Sequence, residues 1–254
     1  MASSQIPSPT ATRPAVEPLR SIYEVYRDLV LTAPVGPEFA SAGLGGKLLY
    51  AGGMTDEGRN LLYAGNVAGA ASLAASGDVA VQRMAIRDGV VDFLVTTLEE
   101  ALRVLKNEIR KRQAVSVGVA IDSGVLVAQM LERGVLPDLV PAGLELDAFV
   151  AQGARSIASS RGADQGFVTW RVDREFARWL PRLDSLVQAV VPAEDQLRQR
   201  WLKLAPRYLG RMAHKMHGME LSGGETARFR AAAAELVAEH QSSVTPPIVV
   251  VIES

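Results

Sequence analysis

An α/β fold, a Rossmann-like doubly wound parallel sheet with a helical C-terminal extension, is what this sequence predicts, and three observations predict it. Short apolar runs alternate with segments of helical period from residue 47 to about 140; a Gly-Gly pair follows the first run; and after residue 144 the alternation gives way to long amphipathic segments.

The chain opens on "MASSQIPSPTATRPAVEP", whose prolines, Ser and Thr read as a flexible tail over residues 1–20 rather than a signal peptide. That reading places the protein in the cytoplasm. The expected strands are then "KLLYA" (47–51), "ASLAA" (71–75), "VDFLV" (91–95), "AVSVGVA" (114–120) and "PDLV" (137–140), with helices between them, giving a domain over 21–145. The clearest helix is "TLEEALRVLKNEIRKR": Thr97 and Glu100 form a capping-box pair, Leu98, Ala101, Leu102, Leu105 and Ile109 share one face, and the closing Arg110, Lys111 and Arg112 complement the helix dipole.

Residues 146–170, rich in Gly, Ser and Ala, read as a linker, and 171–254 as a mainly helical region with a terminal strand. Phe176, Trp179, Leu180, Leu183 and Val187 make one apolar stripe, and Leu197, Trp201, Leu204, Tyr208 and Met212 a second. A third helix is expected over 225–240, and the apolar ending "PPIVVVIE" reads as a strand buried in a sheet.

Composition excludes several classes. With 48% hydrophobic and 22% charged residues the body is neither disordered nor membrane-like, and no apolar run reaches the ~20 residues that span a bilayer. The absence of cysteine removes disulfides, thiolate metal sites and cysteine nucleophiles. Residues 151–254 carry 14 Lys and Arg against 11 Asp and Glu, but arginines 171, 174, 178 and 182 are interleaved with acids, so no nucleic-acid surface is expected.

The glycine turn carries the main site expectation. A strand, a glycine turn and a helix make a phosphate site because helix N-terminal amides point at the anion, and Gly52, Gly53 and Gly58 are suitably placed. Asp56 and Glu57 occupy the first helical turn. Each would repel a diphosphate about 6 Å away by roughly 1–3 kcal/mol at an effective dielectric of 20–80, whereas the dipole favours an anion by about 0.3–1 kcal/mol. Arg59 is the candidate to offset that repulsion. The competing reading is that Thr55, Asp56 and Glu57 cap their own helix. At the second strand tip, where a ribose-binding acid is expected, stand Ser76 and then Asp78, a helix cap.

Two weaker motifs resolve blandly. "LSGGE" (221–225) lacks any G-x-x-x-x-G-K-[ST] partner and reads as a turn with Ser222 as helix cap; His214, His217 and Glu220 fall on one face of an expected helix but do not form H-E-x-x-H, so no metal is expected.

Taken in order, "IYEVYRDL", "GKLLYAGG", "AGNVAGAASL", "LEEALRVLKNEIRKRQAVSVGVA" and "LERGVLPDLV" resemble urocanase (urocanate hydratase), the lyase of histidine degradation, from about Tyr23 to Val140. The resemblance implies an NAD-binding domain in which bound NAD+ acts as an electrophile toward the urocanate imidazole while water is added. It also implies that the glycine turn holds the diphosphate. Gly53 and Gly58 match that turn, Thr55, Asp56 and Arg59 stand where the family has glycines, and Ser76 stands where it has the ribose-binding acid. No block after "PDLV" resembles the family's later catalytic core.

The expected function is therefore a urocanase-like protein that is not a hydratase on its own and binds a nucleotide, metabolite or protein partner, with Gly52, Gly53, Thr55, Gly58, Arg59 and Ser76 lining the site and NAD the one implied cofactor. Two alternatives stand beside it: a hydratase component completed by another chain, and an interaction protein forming a homo-oligomer through its C-terminal helices.

Overall fold

A computed structural model describes residues 13–33, 39–143, 146–158, 166–241 and 249–254. Most of the expected tail, residues 1–12, lies outside these. Within the stretch expected to be tail, however, helix α1 (Arg13–Thr32) is already formed. Leu19, Ile22, Tyr23, Tyr26, Leu29 and Val30 recur at helical spacing and are all buried, so the tail reading fails there because proline content outweighed the apolar stripe that follows.

After the single turn α2 (Phe39–Ala42) come the alternating elements β1 (Leu48–Gly53), α3 (Asp56–Ala68), β2 (Ala71–Ala75), α4 (Val79–Arg87), β3 (Phe93–Val95), α5 (Leu98–Lys111), β4 (Val115–Val119), α6 (Ser123–Glu132), β5 (Leu139–Pro141), α7 (Asp147–Ala151) and β6 (Arg155–Ile157). All five expected strands are present. The six strands make one parallel sheet in the order β3-β4-β2-β1-β5-β6.

Right-handed crossovers then dictate the layers. Connections leaving β1 and β2 run one way along the sheet and put α3 and α4 on one face, where Leu49, Ala51 and Ala74 pack with α1. Those leaving β3, β4 and β5 run the other way and put α5, α6 and α7 on the opposite face, over Leu48, Tyr50, Leu73 and Val117. The two-residue alternation along β1 thus feeds both cores.

Caps foreseen in the sequence are made. Thr97 and Glu100 form a reciprocal capping box at α5, and Asp78 accepts from the Ala80 and Val81 amides at α4. The basic last turn of α5 ends on Arg112 in the left-handed conformation.

The expected linker contains structure: α7 and β6 extend the parallel layers, and β7 (Gly166–Val172) begins inside it; residues 159–165 lie outside the described set. β7 is the centre of a second, antiparallel sheet, β8-β7-β9, with β8 (Met216–Leu221) and β9 (Val250–Glu253). The terminal strand is thus half-buried at the edge of this sheet and does not join the main one. Around it lie a 3-10 turn (Arg174–Trp179), α8 (Leu180–Val190), α9 (Gln196–Tyr208) and α10 (Gly223–Gln241).

This region is continuous with the main core. Trp201 of α9 meets Tyr23 edge-on with ring centroids 5.0 Å apart and lies 5.1 Å from Tyr26, while the Tyr26 hydroxyl donates to the Leu197 carbonyl at 2.8 Å. Trp201 is 2% and Trp179 3% exposed, so these stripe tryptophans present no free face to a second copy. Beneath them, Arg198 forks onto Glu225 at 2.8 and 2.9 Å and reaches Asp195. "LSGGE" is the capping box of α10: Ser222 Oγ accepts from the Glu225 amide while Glu225 accepts from the Ser222 amide.

Candidate functional site

The carboxyl ends of the strands converge where neighbouring connections part. β1 and β2 lead to one face and β4 and β5 to the other, which opens a crevice along this edge of the sheet. Its floor is the turn after β1. There the pairing with β2 gains one residue between Tyr50 and Gly53, and Gly52 takes φ +77°, a conformation that a side chain would strain.

Gly53 and Gly58 have different jobs. A Cβ at Gly58 would stand 1.8 Å from the Gly53 carbonyl oxygen, so only glycine lets α3 lie this close to β1. A Cβ at Gly53 would meet nothing nearer than 3.7 Å and would project toward Thr55 and the Ser123 hydroxyl. Space above Gly53 is therefore available to a ligand, while space at Gly58 is already filled by the fold.

At the N-terminus of α3 two amides, those of Glu57 and Gly58, are engaged by the helix's own side chains. Thr55 Oγ1 accepts from the Gly58 amide at 3.3 Å and donates to Glu57 Oε2 at 2.9 Å. Glu57 folds back over its own amide, and these bonds, the amide first and the Thr55 hydroxyl second, hold its carboxyl below the usual range.

Arg59 does not enter the crevice. Its guanidinium pairs with Asp88 at 3.0 Å on the α1 side of the sheet, and the bond from Arg59 is the leading reason that the Asp88 carboxyl lies below its ordinary range. Asp56 and Arg59 instead border a cleft of about 510 Å³ with Ser21, Tyr63 and Arg211. The expected offset of acid by Arg59 fails because α3 turns residues 56 and 59 toward α1 and leaves 57 above the turn.

Ser76 stands at the tip of β2, half-exposed, with its hydroxyl accepting from the Asp78 amide at 3.2 Å and its carbonyl accepting from Gln82 at 2.6 Å. Beside it lies the β4 tip, where Asp122 caps α6 by accepting from Gly124 at 2.8 Å. Asp122 and Ser123 were not expected in the site, although Asp-Ser-Gly directly after an apolar strand is a strand-to-helix signal that could have found them. The structure thus brings together Gly52, Gly53, Thr55 and Ser76, adds Ser123, and leaves out Arg59.

The same parting of connections after the glycine turn is what a dinucleotide domain uses. The family model of the urocanase Rossmann-like domain matches residues 31–143, a span that takes in β1 to β5. Over residues 31–143 the chain is similar to the urocanase Rossmann-like domain. In urocanases this domain is NAD-binding. The urocanase-like segment here ends before α7, and β7 to β9 with their helices lie beyond it.

The two histidines and the acid weighed as a metal motif, His214, His217 and Glu220, are dispersed. Glu220 and His217 sit on β8, not on a helix, at an odd spacing that sends them to opposite faces: Glu220 to Arg27 and His217 to Asp184, 2.7 Å away. His217 also bonds the Ala213 carbonyl, and Asp184 accepts from Trp170. Among the described residues no group of His, Cys, Asp or Glu is gathered that could hold a metal ion, and no helix is long and apolar enough to cross a membrane.

Proposed function

We propose that this chain keeps the urocanase Rossmann-like sheet as a binding scaffold and does not hydrate urocanate on its own. Its crevice receives a small metabolite or nucleoside that brings no diphosphate to the glycine turn. The observation that carries the reading is Glu57: its carboxylate occupies the anion position over the first turn of α3, tied to Thr55 and to its own amide. The residues present fit a diphosphate poorly, since the Glu57 and Gly58 amides are taken by the carboxylate of Glu57 and the hydroxyl of Thr55, and the nearest ionised group has the wrong sign. Gly52, Gly53, Thr55 and Ser76 line the site in this reading, with Ser123 beside them. Incubation of the pure chain with urocanate and NAD+ tests it: urocanate persists, and turnover above the protein-free rate would overturn the proposal.

A second reading, a lyase component completed by another polypeptide, rests on the match of residues 31–143 to the urocanase Rossmann-like domain. Val79 and Val125, in the first turns of α4 and α6 on either side of the crevice, are 54% and 49% exposed. If a second copy covers them, light scattering shows an oligomer that Val79→Glu with Val125→Glu converts to monomer; a wild-type monomer at all concentrations rules out that copy.

A further inference from the structure

We propose a second ligand site, for a small phosphorylated molecule, at the amino-terminal edge of the main sheet around Arg200. A cleft of about 400 Å³ lies there between α9 and the turns that lead into β2 and β4, bordered by Gly69, Arg112 and Gln113. Arg200, Lys203 and Arg207 reach it from one face of α9, at the i, i+3 and i+7 spacing that aligns side chains. No residue that lines it among those described is acidic.

Arg200 is the built part of this site. Its Nε donates to the Val67 carbonyl at 3.0 Å, at the negative end of α3, a helix with no basic residue in its own last turn. That bond accounts for one of its donor nitrogens. The two terminal nitrogens have no acceptor among the described residues. The guanidinium is nevertheless held firmly, because Gly43 and Gly69 make room for it: a Cβ there would stand 2.4 Å from Cζ and 2.6 Å from Nη2.

Two residues away the same helix treats a cation differently. Arg198 is buried and matched by Glu225 in a two-bond fork and by Asp195, whereas Arg200 is partly desolvated, its pKa lowered by that burial, with no carboxylate among the described residues to compensate. A fork left open toward a cleft, beside Lys203 and Arg207, matches the geometry of a phosphate group.

Size and distribution favour a small molecule over nucleic acid. The volume falls in the range of small-ligand clefts, the cations are confined to one concavity, and the chain as a whole carries a net charge of −1. The site lies across the length of a five-residue strand, about 17 Å, from the glycine turn, and it does not rest on the reading of that turn.

Calorimetric titration of the full chain with inorganic pyrophosphate at low salt tests it. Saturable one-to-one binding is expected with Kd below ~1 mM, weakened at least ~10-fold by Lys203→Glu with Arg207→Glu and unchanged by Gly53→Val. Lys203 and Arg207 are exposed, so circular dichroism of the double variant should match wild type. Absence of saturable heat, equal affinity in the folded double variant, or a single-stranded oligonucleotide that binds tighter than pyrophosphate would each overturn the proposal.

Discussion

The Thr55 hydroxyl stands between two partners, accepting from the Gly58 amide and donating to Glu57 Oε2 at 2.9 Å, so that the start of α3 is closed by its own side chains. In a dinucleotide domain the same turn is left open for an anion. The glycines that shape the turn and the acid that fills it therefore report on separate properties, inherited packing and altered binding.

Gly58→Ala separates packing from binding. With the new Cβ facing the Gly53 oxygen at 1.8 Å, either α3 or β1 must move, and the variant should lose about 3 kcal/mol or more of stability. Gly53→Ala, which meets only ordinary contacts, should cost less than about 1 kcal/mol. Urea unfolding of both checks the contrast, and equal losses would contradict it.

Removal of Glu225 should leave the two terminal nitrogens of the buried Arg198 without their carboxylate, with Asp195 alone at Nε, and Glu225→Ala is expected to cost up to about 3–5 kcal/mol. The pair also sets an acid dependence. The Glu225 carboxyl is lowered to about 2 from 4.5, chiefly by the bond from Arg198. Because the folded value lies below the unfolded one, the stabilisation is complete above 4.5 and is lost as pH falls through about 2. Urea midpoints measured between those limits should fall with acidity in the wild type and fall less in Glu225→Gln.

Trp201→Ala should cost about 3–5 kcal/mol and unfold both parts of the chain together. The indole joins α1 to the second sheet, meeting Tyr23 and Tyr26 and donating to the Gly218 carbonyl at 2.8 Å. Two separated transitions in thermal unfolding would show instead that the regions are independent.

Five of the six strands of the parallel sheet were legible in the sequence, helped by turn chemistry such as Gly-Gly after Ala51, Ser76-Gly77-Asp78 after Ala75 and Asp122-Ser123-Gly124 after β4; β6 was hidden in the stretch rich in Gly, Ser and Ala. β7 was not legible, because Val168, Thr169 and Trp170 are buried on both faces of the second sheet and show no alternation beside a Gly- and Ser-rich stretch. β8 escaped because "HKMHGME" spaces its polar residues as a helix would, and only pairing with β7 decides the matter. At the site, Thr55 and Ser76 could be placed from the strand tips. The direction of Arg59 could not, since it depends on Asp88, which the fold brings to the same side 29 residues later.

Calorimetric titration of NAD+ into the pure chain, side by side with Glu57→Ala, tests most directly whether that carboxylate takes the place of a diphosphate. The account predicts no saturable binding below ~1 mM in the wild type and at least ~5-fold tighter binding in the variant. Micromolar, saturable binding by the wild type that Gly53→Val abolishes would contradict it.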